Sequence, residues 1–309
     1  MIKILFAAGD QRWAQFQTPL IKSFKEAHLD VDLALSHDPA LVDYIIYAPN
    51  NDFADFRAYK NTKLVQSLWA GVEGIVTNET LTQPLARMVD TGLTEGMVEW
   101  VTGHVLRHHL GMDRHIVNPN HEWVFEPAPL ARHRSVGILG LGELGSACAK
   151  ALAKLNFQTS GWSRSPKSVE GVHCFSGADG LQEILKKSEI LVLLLPLTKD
   201  TENTLDRETL SLLPNGAVII NPGRGALIDD NALLQSLDDG HISHATLDVF
   251  RTEPLPASDP YWAHPNVTVT PHLASETRAN TASQIVADNI ARVEAGKPAR
   301  FLVNKSAGY

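Results

Sequence analysis

Val136-Gly137-Ile138-Leu139-Gly140-Leu141-Gly142-Glu143-Leu144-Gly145 is the stretch on which the fold of this chain turns. Val136–Leu139 is a short apolar run that reads as a buried strand, and G-x-G-x-x-G follows at once. Ser146–Leu155 then reads as a helix, and Gln158–Gly161 as the next strand. In that setting Gly140 permits the tight turn, Gly142 lets a pyrophosphate approach the backbone, and Gly145 lets helix and strand pack closely. The helix start adds unpaired N–H groups and the positive end of its dipole. Glycine spacing alone is a weak signal; the strand–turn–helix–strand context is what gives it weight. Glu143 fits only if its carboxylate points away from the phosphates.

The second strand runs into Gly161-Trp162-Ser163-Arg164-Ser165, with Lys167 close behind. A site for NAD places Asp or Glu there, to accept from the ribose 2′-hydroxyl. Here the acid is missing, and Ser163, Arg164, Ser165 and Lys167 offer hydroxyls and cations instead. That set suits a 2′-phosphate through charge-assisted contacts, so NADP, taken as NADPH in preference to NADH, is the expected cofactor. The bland reading of the same residues is a solvated loop.

Further apolar strands are expected at Ile190–Leu194, Val218–Asn221, Ala245–Asp248 and Val267–Thr270. Continuous apolar runs of this kind are buried on both faces, as in a parallel sheet covered by helices. Three of them lead into groups with chemistry. Asn221-Pro222-Gly223-Arg224-Gly225 puts an arginine between glycines, where its fork could clamp a carboxylate and polarise the adjacent carbonyl. Glu253 follows Asp248-Val249-Phe250-Arg251-Thr252, and His272 follows Thr270-Pro271. A carboxylate beside an imidazole orients it and stabilises its protonated form, which makes His272 the candidate general acid. In a chain with 13 histidines a single one means little. Three such residues at successive strand ends, after a dinucleotide motif, mean more.

Upstream, strands are expected at Ile2–Ala7, Val31–Leu35, Tyr44–Tyr47 and Lys63–Ser67, with helices around Trp13–Ala27 and Thr94–Leu110. Residues 111–134, rich in His, Pro, Arg and Asn, read as an extended arm, and a final helix is expected at about Thr277–Ala295. Alternating strands and helices imply an α/β fold of two domains, each a parallel sheet with flanking helices. The expected division is residues 1–98 with 277–309, a discontinuous substrate-binding domain, around residues 99–276, a dinucleotide-binding domain.

The charge balance excludes some functions. With 27 Lys and Arg against 35 Asp and Glu, the formal charge is −8, a poor match to a nucleic-acid backbone. The longest apolar run, Ile190–Leu197, is far short of the ~20 residues that span a bilayer. Met1–Ala8 leads into Gly9-Asp10 as a first strand and turn, without the layout of a signal peptide. Cys148 and Cys174 are too few for a disulfide framework or thiolate metal site, so no metal is expected and a cytoplasmic location is.

Taken together, Gly140–Gly145, Asn221–Gly225, Leu247–Leu255 and Thr270-Pro271-His272 resemble, in order, the signatures of the D-isomer-specific 2-hydroxyacid dehydrogenases. Gly161–Ser165, Asp90-Thr91-Gly92-Leu93 and the ending Ala307-Gly308-Tyr309 bring it nearer to the glyoxylate/hydroxypyruvate reductase A branch. The resemblance implies a Rossmann-type cofactor domain inserted in a flavodoxin-like substrate domain. It implies Arg224, Glu253 and His272 as the catalytic set, and reduction of glyoxylate and hydroxypyruvate to glycolate and D-glycerate. Trp69, Ala70 and Gly71, with Arg224 and His272, would hold the substrate, the carboxylate lying on backbone N–H groups. Leu141, Glu143, Leu144, Trp162, Leu195, Pro196, Pro222, Gly223, Asp248 and His272 would join the cofactor contacts. A homodimer using the arm is implied too. Leu273-Ala274-Ser275-Glu276-Thr277 departs from the branch, which leaves the choice of 2-oxo acid open. Two other readings compete: an NAD-dependent 2-hydroxyacid dehydrogenase of different specificity, and a dinucleotide-sensing corepressor.

Overall fold

Two parallel sheets organise the chain, and in both the most apolar runs take the central positions. The computed structural model describes residues 1–50 and 52–308. In chain order the elements are β1 (Ile2–Ala7), α1 (Asp10–Glu26), β2 (Val31–Ala34), β3 (Tyr44–Tyr47), β4 (Leu64–Ser67), α2 (Glu73–Val76), β5 (Leu85–Ala86), α3 (Thr91–His109) and α4 (Asp113–Ile116). Then follow β6 (Ser135–Leu139), α5 (Glu143–Lys154), β7 (Gln158–Ser163), β8 (His173–Ser176), α6 (Gly177–Leu185), β9 (Ile190–Leu193) and α7 (Arg207–Ser211). The chain ends with β10 (Ala217–Asn221), α8 (Asp230–Asp238), β11 (Ile242–Leu247), β12 (Val267–Val269) and α9 (Ala279–Glu294). The chain divides into two compact units, Met1–Leu93 with Glu276–Tyr309, and Thr94–Ser275. Tyr309, used above for the resemblance, lies outside the described residues.

The first unit holds the five-stranded sheet, in the order β2-β1-β3-β4-β5, the flavodoxin-like order. Ile4, Tyr44, Ile46 and Leu64 are buried beneath α1 and α9, which contribute Phe16, Leu20, Phe24, Val286 and Ile290. Burying each such side chain is worth about 1.5–3 kcal/mol. The return of the chain through α9 is also tied by polar groups: buried Asn289 donates to Gln66 Oε1 at 2.7 Å and accepts from the Arg300 N–H at 2.7 Å.

The second unit holds the seven-stranded sheet, β12-β11-β10-β9-β6-β7-β8. Read from β8, this is the doubly wound order with one strand added. The order in which strands are added reverses between β6 and β9, the switch point where such sheets open a crevice. The central strands β6 and β9 are buried on both faces, as continuous apolar runs require, and the edge strand β12 is half-buried throughout. Val101 and Val105 of α3 pack with Val136, Ile138, Leu152 and Val192 on one face.

Most expected elements lie within a few residues of the observed ones. The strands β5 and β8 have no reading in the sequence: β5 has only two residues, and β8, His173-Cys174-Phe175-Ser176, has no continuous apolar run. The arm is not wholly extended: α4 lies inside it, closed by the Arg107–Asp113 ion pair at 2.6 Å. Among the described residues no helix is long and apolar enough to cross a membrane.

Candidate functional site

Because all strands of the second unit are parallel, their carboxyl ends share one edge, and the residues expected to bind or react follow those ends. The glycines after β6 divide their tasks as the sequence implies. Gly140 has φ +107°, and a Cβ there would lie 2.4 Å from the carbonyl oxygen of Leu194. At Gly145 a Cβ would lie 1.8 Å from Gly140 O, so only glycine lets α5 pack this close to its own turn. At Gly142 nothing lies within 4 Å, and the residue is exposed. The open position thus stands at the start of α5, where unpaired N–H groups favour an anion. The residues present therefore fit a pyrophosphate. Glu143 is exposed on the first turn of α5. Leu141 is 1% exposed and Leu144 half-buried against the same apolar core, which leaves their backbones rather than their side chains for a ligand.

β7 is longer than the sequence suggested. It extends through Ser163, so Trp162 and Ser163 are strand residues and Arg164 is the first beyond the strand. The indole N–H of Trp162 donates to Gly177 O at 2.8 Å and its ring packs on the apolar core. Packing thus holds this side chain. The Ser163 hydroxyl donates to Ser165 O at 2.8 Å, curling the chain so that Arg164, Ser165 and Lys167 are exposed beyond the strand.

At the end of β10 the Asn221 side chain braces the turn. Its Oδ1 accepts from Gly223 N–H at 3.1 Å and its Nδ2 donates to Arg224 O at 2.9 Å. Arg224 is half-buried and donates through Nη1 to Gly223 O at 2.6 Å. Pro222 and Gly223 are buried, and a Cβ on Gly223 would lie 2.8 Å from Leu193 O. A Cβ on Gly225 would lie 2.1 Å from the carbonyl carbon of Phe250. The second glycine therefore exists so that the Arg224 turn can press against the segment leading to Glu253. Beyond β9, Leu195 is buried in the core and Pro196 is half-buried.

Glu253 and His272 meet directly. His272 Nδ1–H donates to Glu253 Oε2 at 2.6 Å, and Phe250 N–H donates to Oε1 at 2.8 Å. Both residues are exposed. His272 adopts φ +51°, a left-handed conformation uncommon outside glycine and held by its surroundings. Its N–H is shared between Asp248 O at 2.8 Å and Thr270 O at 3.0 Å. Asp248 has no exposed surface, and its carboxylate accepts from Thr270 Oγ1 at 2.6 Å, Leu273 N–H at 2.9 Å and Ala274 N–H at 2.8 Å. Its main observed work is thus to hold the loop that carries His272.

The Glu253 segment has a second anchor in Arg251, which donates to Ile228 O at 2.7 Å and pairs with Asp230 at 3.1 Å. Burial raises the Asp230 pKa, opposed by the hydrogen bond from Tyr261 and by the Arg251 charge.

In the first unit Trp69 follows β4 and is 38% exposed. Its N–H donates to Ser67 Oγ at 2.9 Å, and its carbonyl accepts from Met88 N–H. Among the described residues, the next two N–H groups, of Ala70 and Gly71, donate to no acceptor. No group of His, Cys, Asp and Glu among the described residues could hold a metal ion.

Asn221 and Thr270 are supports that the motifs alone do not single out. Asn before Pro-Gly is a recognisable turn residue, so Asn221 was open to detection. Thr270 meets Asp248 from 22 residues away, a distance no local pattern reveals.

Residues 103–274 match the family model of the D-isomer specific 2-hydroxyacid dehydrogenase NAD binding domain. A glyoxylate/hydroxypyruvate reductase A from Serratia proteamaculans is 37% identical over 285 residues, covering 88% of this chain and 89% of the relative. A D-isomer specific 2-hydroxyacid dehydrogenase from Xanthobacter autotrophicus Py2, solved with NADPH and MES, is 38% identical, with a TM-score of 0.90 over 100% of this chain and 99% of that one. An NADPH-dependent glyoxylate/hydroxypyruvate reductase from Sinorhizobium meliloti, solved with NADP and sulfate, is 33% identical, with a TM-score of 0.88 and full coverage of both chains. With the glycine turn, the braced arginine and the Glu253–His272 pair on one sheet edge, these similarities mean that the chain belongs to the D-isomer specific 2-hydroxyacid dehydrogenase family of oxidoreductases.

Proposed function

We propose that this protein reduces small 2-oxo acids, glyoxylate and hydroxypyruvate among them, to the 2-hydroxy acids glycolate and D-glycerate, with NADPH as the donor. The observation that carries the reading is the 2.6 Å contact of His272 with Glu253 at the sheet edge that also bears the glycine turn. The relatives named as NADPH-dependent reductases, and the neighbours solved with NADPH or NADP, support the donor.

The second unit is read as the cofactor domain and the first as the substrate domain. The pyrophosphate is assigned to the Gly140–Gly145 turn and the 2′-phosphate to Ser163, Arg164, Ser165 and Lys167. Leu195, Pro196, Pro222, Gly223 and Asp248 are assigned to the remainder of the dinucleotide. When bound, NADPH supplies the hydride for C2. Arg224 and the N–H groups of Ala70 and Gly71 bind the substrate carboxylate, and the arginine polarises the neighbouring carbonyl. His272 gives its proton to the carbonyl oxygen from Nε2, since Glu253 occupies Nδ1 and fixes the ring. Glu253 also stabilises the imidazolium from which that proton leaves.

Loss of absorbance at 340 nm, followed with each acid and with NADPH and NADH side by side, tests the whole reading. Rapid oxidation of NADPH and slow oxidation of NADH is the expected result. Preference for NADH would overturn the phosphate assignment, and no turnover with a wider panel of 2-oxo acids would overturn the reductase.

The same reading makes the protein a homodimer joined through the arm. Trp123 (96% exposed), Phe125 (84%), Ile116 (72%) and Val117 (71%) crowd that segment, an apolar concentration unusual on a free surface. Light scattering after size exclusion should give twice the chain mass, and Trp123→Ser with Phe125→Ser should lower it. A chain that elutes as a monomer at micromolar concentration would remove the arm from this role.

A further inference from the structure

We propose that Arg12 is a specificity-determining residue, its guanidinium held over the Trp69 ring so as to contact the polar or anionic group a 2-oxo acid carries on C3. The inference rests on the function proposed above and adds a selection among its substrates.

Arg12 lies in the first turn of α1, which begins directly after the carboxyl end of β1. Trp69 follows the carboxyl end of β4, two places along the same sheet. The guanidinium carbon stands 5.6 Å from the centre of the indole. Its one hydrogen bond among the described residues, Nη1 to Ala8 O, is long at 3.5 Å. Among the described residues it meets no carboxylate, although Asp10 is two positions away. Elsewhere Arg107, Arg114, Arg134, Arg251 and Arg300 each sit on an acid. A half-buried arginine held by a ring contact and one long hydrogen bond keeps its charge and most N–H donors of its fork for a ligand. Position, stacking and absence of an acid together describe a cation prepared for a ligand.

The chemistry of the substrate says which part of it this cation meets. A 2-oxo acid offers a carboxylate, a carbonyl at C2 and whatever C2 bears besides. The carboxylate is assigned to the Ala70 and Gly71 amides with Arg224, and the carbonyl oxygen to His272. Trp69 immediately precedes those amides, and with the carboxylate and the carbonyl oxygen assigned to other groups, the Arg12 cation over its ring is left for the third branch. In glyoxylate that branch is hydrogen; in hydroxypyruvate it is a hydroxymethyl group, and in 2-oxo diacids it carries a second anion. Arg12 therefore favours the C3-substituted acids over glyoxylate, and diacids gain most.

Kinetics with glyoxylate, hydroxypyruvate and oxaloacetate test this on the full-length protein. Arg12→Met should lower the ratio of kcat/KM for hydroxypyruvate over glyoxylate about tenfold, the scale of a hydrogen bond to a charged group. The change should fall chiefly in KM, and oxaloacetate should lose more. Arg12→Lys should restore part of the ratio, and covers the case in which the Met variant does not fold. Trp69→Leu, which removes the platform, should move the ratio in the same direction. An unchanged ratio, or equal losses for all three acids, would overturn the role of Arg12 while leaving the reductase standing. Wild-type protein inactive on every one of these acids would overturn the function itself, and this inference with it.

Discussion

His272 Nδ1 lies 2.6 Å from Glu253 Oε2, and the other oxygen of that carboxylate is held by the Phe250 N–H at 2.8 Å. One nitrogen of the imidazole is thus committed to an anchored carboxylate, and Nε2 alone remains to meet a ligand. The loop carrying His272 is in turn fastened by three donors to Asp248. Such support limits the positions the ring can take, which is what proton transfer in a transition state requires.

Removing the proton donor should therefore cost turnover more than binding. His272→Gln is expected to lower kcat by ~10²-fold or more with NADPH and hydroxypyruvate, the usual scale of a positioned acid. Glu253→Gln should fall in the same direction, with KM for NADPH little changed. Near-normal kcat in either variant would take that residue out of the proposed chemistry.

Two glycines of one motif should behave oppositely. Gly145→Ala drives a methyl to 1.8 Å from Gly140 O, a clash with backbone that has no flexible partner to yield. Destabilisation of about 1–3 kcal/mol or more is expected from such overpacking, read as a lowered denaturation midpoint. Gly142→Ala adds its methyl to open space at φ −75° and should leave that midpoint nearly unchanged. Its effect should appear instead as weaker NADPH binding in a fluorescence titration. Undisturbed NADPH affinity would move the pyrophosphate away from this position.

Arg164 stands exposed just beyond β7, where the acid that reads a ribose 2′-hydroxyl is absent. Arg164→Asp should lower kcat/KM for NADPH and raise the NADH/NADPH ratio by at least tenfold, as a repelled phosphate implies. An unchanged ratio would defeat the assignment of the 2′-phosphate.

Stability should weaken in mild acid because of two imidazoles, one on α3 and one on β11. His108 bonds Thr246 Oγ1 at 2.8 Å and His244 bonds Thr268 Oγ1 at 2.9 Å, with their rings 4.8 Å apart. Burial pushes His108 down to about 3, with the neighbouring His244 and Arg107 adding to the effect. Burial likewise pushes His244 down to about 4, again with help from Arg107. Below the ordinary histidine pKa of ~6.5 the unfolded chain binds protons that the folded chain refuses. Stability therefore falls as pH drops from about 6.5 towards about 4, and the slope flattens only below the folded values. Between pH 5 and 6.5 most carboxylates do not titrate, so urea midpoints there isolate the histidines. The double variant His108→Gln, His244→Gln should show a shallower slope in that interval. An identical slope would place the acid sensitivity elsewhere.

Local sequence alone determined the parts that depend on short-range stereochemistry. Gly140, Gly142 and Gly145 declare a turn because no side chain could occupy two of those places, and apolar runs such as Ile190–Leu193 declare a covered strand. The order of catalytic candidates along the chain follows, since each ends a strand and parallel strands end on one edge. Tertiary structure decided what depends on distant partners. That Gly225 yields to the backbone of Phe250, that Thr270 and two loop amides converge on Asp248, and that Arg12 stands on Trp69 are contacts across 22 to 57 positions. No periodicity encodes such contacts, because they exist only after the strands have paired in their final order. The extension of β7 to Ser163 belongs with them, for it comes from pairing with β8, a strand without a continuous apolar run.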